Sequence, residues 1–329
     1  MTLLRRGDEG EAVRDLHHRL ARLGHVVRGD DAGAFGLATE SAVRTFQEQR
    51  GLHVDGVCGP QTWNALVESG FRLGDRLLYV RRPMLRGDDV ATLQHRLNAL
   101  GFDAGREDGI LGDQTARAVR EFQRNAGVAV DGIAGPATLS ALGRLGEGTH
   151  GSVAAVRERE SLRHARPLHD SRVYISTVPG LDVLGTVVER GLLEHGARVL
   201  FDAAATDDSA VAAGANRFEA DLFLGIRPGD VATCRCAFFA TATFRSESGY
   251  RLASSIQHEL AGVMDTCAAE PCARTYPLLR ETRMAAVVCE PVQRDDAGAL
   301  HTLVRHVAEI GDAIVRGVRR GFEEPVETT

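Results

Sequence analysis

The chain repeats itself, and that limits its folding more than any other feature. Phe46 to Leu66 reads FQEQRGLHVDGVCGPQTWNAL, and Phe122 to Leu142 reads FQRNAGVAVDGIAGPATLSAL. Asp55 recurs as Asp131 and Pro60 as Pro136, each 76 residues on (131 − 55 = 76; 136 − 60 = 76). Upstream, Leu16-His17-His18-Arg19-Leu20 returns as Leu93-Gln94-His95-Arg96-Leu97, now 77 residues on (93 − 16 = 77). One residue has been gained or lost in the loop between. Two copies of one unit must therefore form two copies of one module.

Each unit reads as a small helical module. Ala42, Val43 and Phe46 stand at helical spacing, as do Ala118, Val119 and Phe122. Gly51 and Gly127 suit helix ends. Asp55-Gly56 and Asp131-Gly132 are turn dipeptides. Gly59-Pro60 and Gly135-Pro136 then open a last short helix with proline in its first turn. A unit of this size has little core of its own, so the two are expected to pack together or on the rest of the chain.

These residues also carry a resemblance. Gly7-Asp8-Glu9-Gly10-Glu11-Ala12-Val13, Gly87-Asp88-Asp89-Val90, Phe35-Gly36, Leu111-Gly112, Phe46-Gln47, Asp55-Gly56 and Gly59-Pro60-Gln61-Thr62-Trp63 resemble the peptidoglycan-binding domain 1 family. The resemblance spans nearly all of residues 3–145. It implies a three-helix module that binds peptidoglycan or its stem peptides. Most of the matching letters have structural reasons of their own. Phe46, Phe122, Leu66 and Leu142 are core candidates, and the Gly, Asp and Pro positions are turn chemistry.

Composition narrows the function classes. The formal net charge is −6, so no basic nucleic-acid footprint is present. No apolar run reaches the length of a membrane span. Met1 to Gly7 runs straight into the first repeat without an apolar leader, so a cytoplasmic location is expected. Six cysteines agree with a reducing compartment. Cys234-x-Cys236 with Cys267-x₄-Cys272 could in principle form a four-thiolate zinc site. Their spacing is not a standard one, and buried apolar duty is the favoured reading. The histidines show no H-x-x-x-H array; His164 with His169 and His301 with His306 are the weak exceptions.

The expected organisation is multi-domain. Residues 1–72 and 80–145 are the two all-α modules, 146–171 a linker with one short helix near 153–165, 172–322 an α/β sandwich around a central mixed sheet, and 323–329 an acidic tail. In the α/β part, strands are expected at 173–175, 198–201, 221–226, 236–243 and 285–289. Leu184, Val187, Val188 and Leu192 form one helical stripe; Leu252, Ile256, Leu260 and Val263 form another. A single long helix is expected over 300–318. The nearly all-apolar strand at 221–226 is expected at the sheet centre, and strands alternating with helices argue one layered domain.

Three fragments of this part resemble the type 3 N-acetylmuramoyl-L-alanine amidases, a zinc-dependent family. They are Val178-Pro179-Gly180, the stretch Asn216 to Ile226, and Leu278-Leu279-Arg280 followed by Ala286-Val287-Val288-Cys289-Glu290-Pro291. Such enzymes hold Zn²⁺ with His, Glu and His and leave one position for water. The metal acidifies that water, and a separate Glu moves the proton. By this resemblance the first His position falls on Leu181 and the second on Arg227. Leu181 to Gly185 leaves no room for the segment that would carry the ligand Glu. The acid/base position is kept as Glu290, a relic expected to be inactive. Arg227 and Arg280 are binding candidates. Arg227 either pairs with Glu290 across the old cleft or points to solvent. No metal and no cofactor is expected; zinc belongs only to the alternative of a working amidase.

The combination resembles an actinobacterial family, the CwlM proteins, which look like wall amidases and act in the cytoplasm as regulators of precursor synthesis. That resemblance implies several partners: a peptidoglycan precursor or muropeptide, the UDP-GlcNAc enolpyruvyl transferase, a phosphothreonine-binding protein and a Ser/Thr kinase. Thr328 and Thr329 are the phosphorylation candidates. The expected function is a non-catalytic, amidase-like regulator or scaffold. The alternatives are an active zinc amidase that cuts between muramic acid and L-alanine, and a plain adhesion module.

Overall fold

The computed structural model describes residues 3–145, 166–203, 207–241, 244–294 and 296–323. The expected helix near 153–165, His164, Thr328 and Thr329 lie outside the described residues. The chain divides into two compact units, Met1–Arg157 and Glu158–Thr329.

The first unit holds the two repeats, each built of three helices. Repeat 1 has α1 (Glu11–Arg22), α2 (Leu37–Gln49) and α3 (Pro60–Glu68); repeat 2 has α4 (Asp88–Ala99), α5 (Asp113–Ala126) and α6 (Pro136–Leu145). Each repeat closes over its own core. Val13, Leu16, Leu20, Val43, Phe46 and Leu66 form one; Val90, Leu93, Leu97, Val119, Phe122 and Leu142 form the other. Gly127 ends α5 in the left-handed region at φ 66°, where an L side chain is strained. The repeats also touch. Arg50 at the end of α2 reaches Asp88 of α4 at 2.6 Å, and Arg76 in the connection grips Asp89 with two hydrogen bonds, 2.7 and 3.0 Å.

The second unit is a layered α/β domain. Its six strands are β1 (Arg172–Thr177), β2 (Arg198–Asp202), β3 (Leu222–Ile226), β4 (Arg235–Phe239), β5 (Cys272–Arg274) and β6 (Ala285–Glu290). They lie in the order β2-β1-β3-β6-β4-β5. The first four in that order are parallel; β4 runs antiparallel to β6 and parallel to β5. The sheet is therefore mixed. β3 lies between β1 and β6, as its unbroken burial requires.

Strand register divides the side chains between two faces. Val173, Ile175, Leu222, Leu224, Ile226, Val287 and Cys289 face one way. There they share a core with α7 (Asp182–Glu194), α9 (Glu247–Ala261) and α12 (Val307–Glu323). The approach of α12 to α9 is close enough that a Cβ on Gly317 would stand 2.4 Å from the Ile256 Cα. Tyr174, Ser176, Phe223, Arg227, Val288 and Glu290 alternate to the other face. That face carries α8 (Asp208–Arg217) and the short α10 (Pro277–Arg280).

Two expectations are corrected, and three elements were not expected at all. The last helix is two: α11 (Ala297–Arg305) ends at His306 and α12 starts at Val307. β4 spans Arg235–Phe239, starting one residue earlier and ending sooner than expected, and residues 242–243 of the expected strand lie outside the described residues. The short strand β5 and the helices α8 and α10 carry too few periodic apolar residues to announce themselves.

Candidate functional site

In the repeats, one buried glutamine pins each Asp-Gly turn. Gln123 Nε2 donates to Asp131 Oδ1 (2.7 Å), the Ile133 carbonyl (3.1 Å) and Thr138 Oγ1 (3.0 Å), while its Oε1 accepts from Gly132 N (2.9 Å). Gln47 does the same around Asp55-Gly56 in repeat 1. Gln94 repeats it around Asp108-Gly109. An amide side chain suits the task because it offers donors and an acceptor at once. These contacts give the family's Phe-Gln, Asp-Gly and Thr letters a structural role.

Repeat 1 lacks the counterpart of Gln94, and His17 stands there. Its Nε2 lies 2.7 Å from Thr39 Oγ1. The single Thr39 hydroxyl proton is committed to Asp30 Oδ2 at 2.6 Å, so His17 Nε2–H donates. Asp30 also accepts from the backbone N–H of Gly36, Ala38 and Thr39 at the start of α2. Burial lowers the His17 pKa, against the pull of Asp30. Burial alone would raise the Asp30 carboxyl, but its bonds to Thr39, Ala38 and Gly36 prevail and hold it below the ordinary value.

In the α/β domain Glu290, the acid/base position by the amidase resemblance, is 1% exposed at the end of β6. Both of its oxygens are engaged. Tyr276, the N-cap of α10, donates to Oε1 at 2.7 Å, and Arg235 Nε donates to Oε2 at 2.8 Å. Arg235 reaches it because the antiparallel register sets Arg235 opposite Glu290. Arg274 Nε in turn donates to the Tyr276 hydroxyl at 3.1 Å. Burial, then the negative charge of Glu290, pushes the Tyr276 phenol well above its ordinary range, so it remains a donor. Gly229 approaches so closely that a Cβ there would lie 3.1 Å from Glu290 Cβ.

Arg227 takes a different partner. It is 8% exposed, with Nη2 3.1 Å from Asp208 Oδ1 at the start of α8. Distance makes this an ion pair, yet neither Nη2 nor Nε is aligned to donate a hydrogen bond. Burial lowers the Arg227 pKa, Asp208 opposes that, and Arg294 adds to it. Both sequence-based alternatives are thus overturned: Arg227 neither points to solvent nor pairs with Glu290, although strand register makes them neighbours on one face. Asp208 and Arg235 had each taken one of them. Leu181 caps α7 at 3% exposure, inside the apolar core. Arg280 closes α10, half-buried.

The donor set does not fit a zinc ion. Among the described residues no group of three or more His, Cys, Asp or Glu side chains is placed to hold a metal. The cysteines form pairs instead. Cys234 Sγ lies 3.3 Å from Cys267 Sγ, and Cys236 Sγ lies 3.7 Å from Cys289 Sγ. Cys289, which the sequence reading had not grouped with the others, takes the place proposed for Cys272.

Comparison with known proteins agrees with this layout. Residues 9–66 and 86–142 match the family described as "Putative peptidoglycan binding domain". N-acetylmuramoyl-L-alanine amidase CwlM of Mycobacterium tuberculosis is 34% identical over 331 aligned positions, covering 86% of this chain and 80% of that protein. The chain belongs to the CwlM family. N-acetylmuramoyl-L-alanine amidase CwlL of Bacillus licheniformis is 33% identical over 165 positions, 44% of this chain and 46% of that one. Among solved structures, amidase AmiC2 of Nostoc punctiforme aligns at 19% identity and a TM-score of 0.38, over 46% of this chain and 98% of that one. In this CwlM-family chain, then, the two positions the amidase resemblance gives to histidines hold a core leucine and a buried arginine.

Proposed function

We propose that this protein is a non-catalytic, amidase-like regulator of peptidoglycan synthesis that works in the cytoplasm. In this reading the two N-terminal modules bind peptidoglycan precursors or muropeptides, and the α/β domain is a docking scaffold. One observation carries the proposal: Leu181 and Arg227, which the amidase resemblance sets at the two His positions, are both buried in the fold. A leucine offers no lone pair to a metal, and a fixed guanidinium charge repels one. Glu290 supports the same reading, because a general base needs an oxygen within reach of the proton it takes. Both oxygens of Glu290 are bound inside the fold.

The enolpyruvyl transferase, the phosphothreonine-reading protein and the Ser/Thr kinase acting on Thr328 or Thr329 belong to the proposal through the family resemblance. The competing reading, a working amidase, draws on the names of the relatives and on the retained Glu290. The full chain, purified and supplied with Zn²⁺, is incubated with muropeptides and, separately, with isolated precursor. The expected outcome is binding without release of the stem peptide. Chelator-sensitive release of a peptide with a free L-alanine amine would overturn it.

A further inference from the structure

The cysteine pairs differ in a way that matters chemically. Cys236 and Cys289 face each other across β4 and β6 and are fully buried. Cys234 is fully buried too, but Cys267, in the loop after α9, is partly exposed. Their backbones already pair. Cys234 N donates to the Thr266 carbonyl at 3.0 Å, and Ala268 N donates to the Cys234 carbonyl at 2.8 Å, a parallel bridge. Paired strands lie about 4.8 Å apart, inside the Cα separation of roughly 4.4–6.8 Å that a disulfide spans. The sulfurs stand 3.3 Å apart with no bond between them. Joining them needs side-chain rotation, not backbone movement.

We infer that Cys234 and Cys267 form a reversible disulfide, a peroxide-sensitive modification site independent of the regulatory reading above. Cys267 is the attacking sulfur. Its pKa is lowered, first by the hydrogen bond it shares with Cys234, then, against the cost of burial, by the Ala268 N–H. The thiolate form is the nucleophile. It attacks one oxygen of hydrogen peroxide. The O–O bond breaks, an S–O bond forms, and the second oxygen leaves as hydroxide and is protonated to water. The Cys234 sulfur then attacks the sulfenic sulfur of Cys267. The S–S bond forms, the S–O bond breaks, and the oxygen leaves with the Cys234 proton as a second water. The two thiols lose two electrons together, and one peroxide gains them. A dithiol reductant reverses the bond by exchange.

The other cysteines are poor competitors. Burial pushes the Cys236 thiol far up. Cys272 is partly exposed, but burial raises its thiol as well. Gln257 of α9 already bridges the two segments, accepting from Cys236 N and donating to the Ala268 carbonyl, each at 2.6 Å. A disulfide would lock the loop after α9 to the start of β4 and hold α9 in the closed ring.

The test uses the full chain, hydrogen peroxide, and thiol counting after denaturation, followed by peptide mass spectrometry. Six titratable thiols are expected to fall by two, with a Cys234–Cys267 cross-linked peptide, and to return with dithiothreitol. Cys267→Ser, at a partly exposed position, should keep all of its remaining thiols. Cys272→Ser should still lose two. A sulfinic acid at Cys267 without cross-link, a link through Cys272, or six thiols surviving peroxide would each overturn the inference.

Discussion

The two halves of the chain each bury a polar group under a turn, and they satisfy it by opposite means. In the N-terminal modules Gln47, Gln94 and Gln123 are neutral, and each matches its donors to acceptors within a few residues of a turn. In the α/β domain Glu290 is a carboxylate, and its partners are Arg235 of β4, 55 residues away, and Tyr276 at the N-cap of α10, 14 residues away. A buried amide needs only hydrogen bonds. A buried carboxylate needs a cation as well, and the pair is held only while the sheet register holds. The turns of the modules therefore hold without a charge, whereas the Arg235–Glu290 pair depends on the register of β4 beside β6.

The sharpest way to break this comparison is to remove the charge. Glu290→Gln would leave the partly buried Arg235 beside an amide, and we expect a loss of about 3 kcal/mol, the low end of the cost of stranding one member of a buried pair. Chemical denaturation of the α/β domain, followed by its tyrosines, measures this. A loss below about 1 kcal/mol would mean that solvent already screens the pair. The second test is Gln123→Ala. It strands the buried Gly132 N–H and removes the amide donor shared by Asp131, Ile133 and Thr138, at an expected cost of about 1–3 kcal/mol. Amide exchange of α5 and α6 should quicken while repeat 1 is unchanged. Equal quickening in both repeats would show that they unfold as one.

Legibility in the sequence follows the same division. Turn dipeptides, proline at helix starts and the apolar stripes of α2 and α5 are local signals, so α2, α3, α5 and α6 could be placed from them, while α1 and α4 came with the family resemblance. The strands β1, β3 and β6 could be found too, since buried parallel strands are nearly continuous apolar runs. The partners of Arg227 and Glu290 could not. Nothing near Arg235 in the sequence points to Glu290, 55 residues away; only the antiparallel return of β4 beside β6 sets them opposite each other. Asp208 is equally silent, because it acquires Arg227 through the docking of α8 on the sheet. The break at His306 was missed because the apolar spacing runs through it from Leu303 to Ile310.

Repeat 1 supplies the smallest and most discriminating test, because it departs from its own half. Where repeat 2 holds a turn with neutral Gln94, repeat 1 uses His17 with Asp30 and Thr39. The sign follows from the lowered His17 pKa. Between the folded and unfolded values the unfolded chain binds the extra proton, so stability is full above the unfolded value of about 6.5 and is lost as pH falls toward the folded one. Asp30 acts the same way lower down, below about pH 4, because its pKa is also lowered. Between pH 7.5 and 5.5, amide exchange in α1 and α2, corrected for intrinsic rates, should quicken relative to α4 and α5. The effect should be smaller than either of the two preceding ones. His17→Gln should flatten it, since a glutamine there makes repeat 1 resemble repeat 2. If the pH dependence survives that substitution, His17 is not its source, and the contrast between neutral and charged turns does not extend to this module.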